Sequence, residues 1–398
     1  MIINKAEFLV PSASVDKTRW AVIACDQFTS QREYWQQLAR EVGDAPSTLS
    51  LIYPEAYLKD GDKEKRIADI RNAMKRYQED GSLVPVNGVI LTDRTISDGR
   101  HRHGLVAALD LEEYEFTPVN DAHVKATERT VEERLPARIE VREGASLECS
   151  HVMLLTQIGG FVCEELKKAQ KRGKPLYDFQ LNMNGGRLKG YLVDDCDGLL
   201  AKLEELTAAA NDKVRYAVGD GNHSLATAKR CWEKIRPSLS EEERKTHPAR
   251  FATVEVVDIF EESLDFEPIH RVLFNADEDA VKYIAERCGG DARVKAVFRG
   301  KEYVVPVREN GSDAIADLQN AMDSYLASHK EAGIDYVHGD NYVAKIAADN
   351  DAIAVFMPTV QKESLFDYVA RRGVLPRKSF SMGNAEDKRY YYETKKIK

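Results

Sequence analysis

The sequence predicts an α/β (or α+β) chain, with mixed sheets and flanking helices. Three observations carry that expectation. Short apolar runs rich in Val and Ile alternate along the chain with longer segments of helical periodicity. Residues 88–96 and 102–110 read as two strands around Asp98-Gly99, which supplies the turn chemistry of a hairpin. A strand-like run at 215–218 ends at Gly219-Asp220-Gly221, and a helix-like run beginning near His223 follows at once.

The elements follow in order. A short strand and a Pro-Ser turn lead to the apolar run Trp20-Ala-Val-Ile-Ala24, read as a strand ending at Cys25-Asp26. A helix is expected from about Ser30 to Arg40, with Ser30 and Glu33 spaced as a capping box. Residues 62–79 place Ile67, Ile70, Met74 and Tyr77 at helical spacing, and Asp80-Gly81 stops them. After the hairpin, Arg129, Arg134, Arg138 and Arg142 come at steps of four or five residues, broken by Pro136, so some guanidinium groups would share a helix face. Residues 151–156 read as a strand, 161–171 and 199–210 as helices. Residues 250–260 read as a buried strand, with His270 and Arg271 placed just beyond it. Further on, 352–357 reads as a strand, 365–371 as a helix and the tyrosine run 390–392 as a strand. A division into 1–120, 121–272 and 273–398 follows, with the Gly-Asp-Gly-Asn-His loop in the central part.

Whole-chain properties narrow the function. At 398 residues the chain has room for two or three domains. Its net charge of −9 argues against a nucleic-acid-coating domain, which needs a broad basic face. No apolar run approaches the roughly 20 residues that cross a bilayer, and the start lacks the basic n-region of a signal peptide. The cysteines at 25, 149, 163, 196, 231 and 288 form no C-x-x-C pair, so reduced thiols in a cytoplasmic protein are expected. One local exception to the acidic balance is residues 371–398, with nine Lys/Arg against three Asp/Glu. That basic tail could meet a phosphate or solvate an edge strand.

The Gly-Asp-Gly junction carries the chemistry. Glycines at 219 and 221 let the backbone turn sharply and let a ligand approach it. The first amides of the following helix have no intrahelical partner and point outward at the positive end of the macrodipole, which suits an anion. Asp220 and His223 flank that position. A carboxylate there can hold a metal or take a proton, and a histidine can cap a phosphate or shuttle a proton. The same residues also suit a plain strand-to-helix turn, with Asp220 and Asn222 as turn and cap residues.

Several blocks, taken together, resemble a bacterial family, the domain of unknown function one thousand and fifteen. They are Ala24-Cys25-Asp26, Arg102-His103-Gly104-Leu-Val-Ala-Ala-Leu-Asp-Leu-Glu-Glu-Tyr114, Lys125-Ala-Thr-Glu-Arg-Thr130, Gly219-Asp-Gly-Asn-His-Ser224, Pro268-Ile-His-Arg271, Tyr336-Val-His-Gly339 and Leu375-Pro-Arg-Lys-Ser-Phe380. The glycine motif is in turn similar to the Asp-Gly-x-His-Arg box of the ParB/sulfiredoxin-like superfamily, which includes a free serine kinase. That resemblance implies a core carrying a strand–Gly-Asp-Gly–helix phosphate loop, nucleotide binding, and phosphoryl transfer to a small molecule such as serine. Asp220, Gly221 and His223 match the box, whereas Asn222 stands for its first histidine and Ser224 for its arginine. Losing that arginine removes a bidentate phosphate contact. Either another cation supplies it or this branch binds something else.

On this reading Gly219, Gly221, Asn222, Ser224 and Arg271 bind nucleotide phosphates. Asp220 holds Mg²⁺ beside ADP or ATP, and His223 and His270 stabilise charge on the transferred group. Asp26 is the general base for an acceptor hydroxyl, and Arg94 and Arg129 hold a substrate carboxylate. Structural duties compete: His270 bonding a backbone carbonyl, Asp26 capping a helix, Arg129 pairing with Glu132 or Glu133. The partners implied are a nucleotide and a small-molecule substrate, without nucleic acid or membrane, and homodimerisation stays open. Two other functions also stay open: a non-catalytic nucleotide sensor or ParB-like switch, and a metal-dependent hydrolase. The hydrolase has only His101-x-His103 to offer, since no H-e-x-x-H spacing occurs. A thiol enzyme would need Cys25 beside a histidine.

Overall fold

The computed structural model describes residues 1–130 and 135–398. Glu132, Glu133 and Arg134, named above for ion pairing and helical spacing, lie outside the described residues. The chain is a mixed α/β protein with two sheets and, among the described residues, eleven α-helices. Its contacts divide it into two compact units. The first comprises Met1–Ala126, Thr130–Leu264 and Gly383–Lys398, and the second Thr127–Arg129 and Asp265–Met382. The sequence-based division placed its boundaries after 120 and 272 and did not assign the last segment of the chain to the first unit.

The first unit is built on a thirteen-stranded sheet. Its main path runs Tyr114–Glu115, Val124–Ala126, Tyr216–Asp220, Met153–Thr156, Phe251–Asp258, His101–Asp110, Leu83–Thr95, Ala6–Pro11, Thr394–Lys396, Leu147–Cys149. The expected hairpin forms between Leu83–Thr95 and His101–Asp110, with Thr95 opposite His101 and Asp98-Gly99 in the turn. The helix Lys63–Glu79 buries Ile67, Ile70, Met74 and Tyr77, the stripe its 3.6-residue period foretold. That stripe joins a core containing Phe8, Trp20, Ile90, Val106 and Tyr392. Burying a side chain of this size contributes about 1.5–3 kcal/mol.

The second unit has a six-stranded sheet, ordered Lys301–Val307, Ala292–Phe298, Ile353–Val355, Phe266–Phe274, Gly333–His338, with Phe380–Met382 on the first residues of Phe266–Phe274. Helices Glu278–Arg287, Gly311–Ser328, Asp340–Asp349 and Lys362–Arg372 belong to the same unit.

Four sequence expectations are corrected. The run 20–24 is buried but is no strand. Among the described residues its only ladder contact is the bridge Ile23–Arg389, and Val22 N–H donates to Thr48 Oγ1 instead. Asp26 therefore follows an irregular segment. The first long helix is Arg32–Val42, with Gln31 at its N-cap and no side-chain cap, so Ser30 and Glu33 form no capping box. His270 and Arg271 do follow the strand Phe251–Asp258, but they lie inside a further strand, Phe266–Phe274, that the sequence did not signal. The tyrosines 390–392 are buried outside any strand, and the last strand is Thr394–Lys396.

Candidate functional site

The strand Tyr216–Asp220 pairs parallel with Val124–Ala126 and antiparallel with Met153–Thr156. The second ladder shifts register between Val218 and Asp220, so Gly219 is the bulge residue that re-aims the end of the strand. Gly221 then takes φ 83° and ψ 21° as N-cap of the helix Asn222–Ile235. A Cβ at Gly221 would stand 2.2 Å from the His151 carbonyl oxygen, so both conformation and space demand glycine here. Residues 219–224 are all half-buried, which leaves the loop within reach of solvent. Among the described residues Asn222 Oδ1 is buried without a hydrogen-bond partner, and with its amide turned over the same position presents a donor.

Asp220 is held on both sides. Its Oδ1 accepts from the Gly221 amide at 2.8 Å. Its Oδ2 lies 3.3 Å from His151 Nε2 and 3.4 Å from Lys388 Nζ. Burial of Asp220 works against its charge, but the Lys388 ammonium and the His151 ring outweigh it and hold the carboxyl well below the usual carboxylate range. His151 Nδ1 contacts the Arg389 carbonyl at 2.7 Å, so each ring nitrogen faces an acceptor. The segment 388–389 also accepts the Ala24 amide, at 2.7 Å on the Lys388 carbonyl. The chain around Asp26 and the glycine loop thus meet at one residue of the C-terminal segment.

His151 and Lys388 are the residues sequence reasoning missed. They lie 69 and 168 positions from Asp220, and only the basic character of 371–398 signalled that a cation from the tail was available.

The other expected residues divide clearly. Asp26 accepts from Gln27 Nε2 at 3.0 Å and lies 3.9 Å from Arg138, whose closer partner is Glu55 at 2.6 Å. It does not cap the helix Arg32–Val42. His223 is half-buried in the first turn of the motif helix, where its carbonyl accepts from Thr227 Oγ1. Arg94 is 4 % exposed and lines a cavity of about 20 Å³ with Arg102, Glu255, Arg389 and Glu393. That volume takes about one water molecule, too little for the substrate carboxylate expected at Arg94. Burial and the neighbouring Arg102 and Arg389 charges lower its pKa to about 9. A larger cleft of about 360 Å³ is lined by Arg142, Lys234, Ile235 and Lys398, with none of the loop residues among its walls.

Arg129, His270 and Arg271 belong to the second unit. Arg129 is exposed. His270 Nδ1 accepts from the Met357 amide at 3.0 Å, and its Nε2 reaches Asp340 Oδ1 at 2.8 Å. Burial lowers its pKa against the raising effect of Asp340. This is a neutral imidazole whose hydrogen bonds are already made, a structural role rather than the expected catalytic one.

Competing chemistries lose support. Burial pushes the Cys25 thiol up to about 11, far from a thiolate nucleophile. His101 and His103 each face their own carboxylate, Asp93 at 2.7 Å and Glu261 at 3.1 Å. Among the described residues no group of three or more His, Cys, Asp or Glu side chains is arranged to hold a metal, and no helix is long and apolar enough to cross a membrane.

Fold and loop define a mixed α/β protein whose main sheet ends one strand in a Gly-Asp-Gly turn into a helix. The chain belongs to the family described as protein of unknown function (DUF1015), which matches residues 9–394. No curated protein matches it by sequence. Solved structures similar to it include a conserved hypothetical protein from Pyrococcus furiosus, at 12% identity and TM-score 0.35, covering 70% of this chain and 90% of that one. A mutant free serine kinase in complex with AMP matches at 10% identity and TM-score 0.40, covering 71% and 98%. C-terminally truncated SbnI from Staphylococcus aureus matches at 8% identity and TM-score 0.38, covering 70% and 83%. Likenesses this distant carry no functional argument.

Proposed function

We propose that the chain binds a nucleotide through its phosphates at residues 219–224 and transfers a phosphoryl group to a small hydroxyl acceptor, free serine being the leading candidate. The observation that carries the reading is the Lys388 ammonium set beside the glycine-capped N-terminus of the helix Asn222–Ile235. Outward-facing amides and a fixed cation together make an anion cradle. Lys388 supplies the positive charge that Ser224, in place of an arginine, does not.

In the reaction the acceptor oxygen bonds to the terminal phosphorus as the bridging P–O bond to the nucleotide breaks. The hydroxyl proton passes to Asp26. Asp220 orders the cradle by fixing Lys388, His151 and the Gly221 amide, and His223 stands in the same helical turn. Asp220 does not fit the role of Mg²⁺ ligand, because both oxygens are engaged and the Lys388 ammonium beside it opposes a second cation. Arg94, inside the core, takes no part.

A nucleotide sensor without turnover is the second reading, favoured by the way Asp220 is locked in ion pairs. A thermal-shift panel of ADP, ATP, CTP and GTP, each with and without Mg²⁺, identifies the ligand. Incubating that nucleotide with an amino-acid panel then separates the two readings. A phosphorylated amino acid establishes the kinase, binding without product establishes the sensor, and no shift with any nucleotide refutes both.

A further inference from the structure

The second unit gathers three cations around one aromatic ring. In the antiparallel pair Phe266–Phe274 with Gly333–His338, Arg271 stands directly opposite Tyr336, so the two side chains share a face of the sheet. The Arg271 guanidinium lies 4.4 Å from the Tyr336 ring centre. The turn after the helix Lys362–Arg372 brings two more charges to the same ring, Arg377 at 5.1 Å and Lys378 at 5.6 Å. Arg377 Nε also donates to the Tyr336 hydroxyl at 3.0 Å.

This turn is built, not loose. Glu128 accepts from the backbone amides of Lys378 at 3.2 Å and Ser379 at 2.9 Å, and Ser379 Oγ donates to the Pro376 carbonyl at 2.6 Å. Lys378 is held there at φ 54°, a left-handed conformation that side chains other than glycine avoid. Arg271 is fully buried. Its Nε donates to Gln319 and its Nη1 to the Ile269 carbonyl, yet among the described residues its Nη2 has no partner. The acidic groups nearby are few. Glu128 spends its oxygens on the turn's amides, and Asp323 is engaged by the Gln319 amide. By contrast Arg371 and Arg372, just upstream, both pair with Asp313. One aromatic face satisfies part of this charge, and three like charges converge on the ring while the two carboxylates acting on Arg271, Glu128 and Asp323, are both already engaged.

We propose that Arg271, Arg377, Lys378 and Tyr336 form a second anion site, which takes the phosphate group of a small molecule. The two exposed positive charges, on Arg377 and Lys378, match a phosphate dianion. An exposed guanidinium and an exposed ammonium supply charge-assisted donors for it. The proposal is independent of the reading of residues 219–224.

The test is amine acetylation of the full chain, with labelling at Lys378 read by mass spectrometry. Inorganic phosphate and pyrophosphate are compared with sodium chloride at matched ionic strength. Both phosphates are expected to protect Lys378 several-fold. Arg377→Gln is expected to remove the protection. Ser224→Glu, which places a carboxylate at the first turn of the motif helix and repels phosphate from that loop alone, is expected to leave it intact. Equal Lys378 labelling in phosphate and chloride overturns the proposal. So does protection that persists in Arg377→Gln, since that is a general ion effect.

Discussion

At the scale of single residues, Gly221 and Glu393 show backbone and charge each imposing a definite requirement. Gly221→Ala forces a side chain into left-handed space, at about 1–2 kcal/mol, and sets its Cβ against the His151 carbonyl. Urea unfolding of this variant is expected to show at least that loss. A loss below about 0.5 kcal/mol, the usual size of an exposed surface change, would mean the turn relaxes freely. Glu393 is buried at the end of the chain, and Tyr177 donates to it at 2.6 Å. Burial pushes its pKa up to about 7, with the Glu255 charge adding to the rise and the tyrosine hydrogen bond opposing it. The folded state therefore holds this proton more tightly than the unfolded chain. The associated stability is complete below about pH 4.3, the ordinary glutamate value, and is lost as pH rises through the folded value. Glu393→Gln keeps an acceptor for Tyr177 and removes the titration. Thermal melts from pH 5 to 8 are expected to fall less steeply in this variant than in the parent. Equal slopes would show that Glu393 does not carry the effect.

At the scale of elements, periodicity was legible and long-range partnership was not. The helix Lys63–Glu79 declared itself because Ile67, Ile70, Met74 and Tyr77 follow one stripe. The hairpin declared itself through alternation and Asp98-Gly99. The glycine junction was legible too, since sharp turning and a helix start are local matters. The run 20–24 misled because an apolar pentapeptide looks alike in a ladder or in an irregular buried segment. Its longer-range hydrogen bonds include those with Thr48 and with residues 388–390, which no local pattern reveals. Capping divides in the same way. Ser30 fits a capping box by spacing, but the helix starts later and Ser30 caps nothing. Asp277, by contrast, accepts from the Asp279 amide at 3.0 Å as N-cap of Glu278–Arg287. Ser30→Ala is expected to be neutral in chemical denaturation, and Asp277→Ala to cost about 1 kcal/mol. The reverse order would contradict the cap assignments.

At the scale of the whole molecule, the last residues of the first unit organise its candidate site. The strand Thr394–Lys396 pairs with Ala6–Pro11 and Leu147–Cys149. Just before it, Arg389 bonds Asn182 and the Ala21 carbonyl, Tyr390 N–H donates to Val22, and Lys388 reaches Asp220. Within the basic tail, residues 389–395 are thus buried as well as part of a source of charge, which composition alone did not distinguish. The site draws on residues near 24, 151, 220 and 388, so it comes into being only with the folded unit. The central claim is that Lys388 and the helix N-terminus bind a nucleotide phosphate together. Calorimetric titration of ADP and ATP into the parent chain and into Lys388→Met tests it most directly. Saturable binding by the parent, weakened roughly tenfold in Lys388→Met for loss of one charge-assisted contact, is the predicted result. Undiminished binding in a folded Lys388→Met, or no binding by the parent, would contradict it.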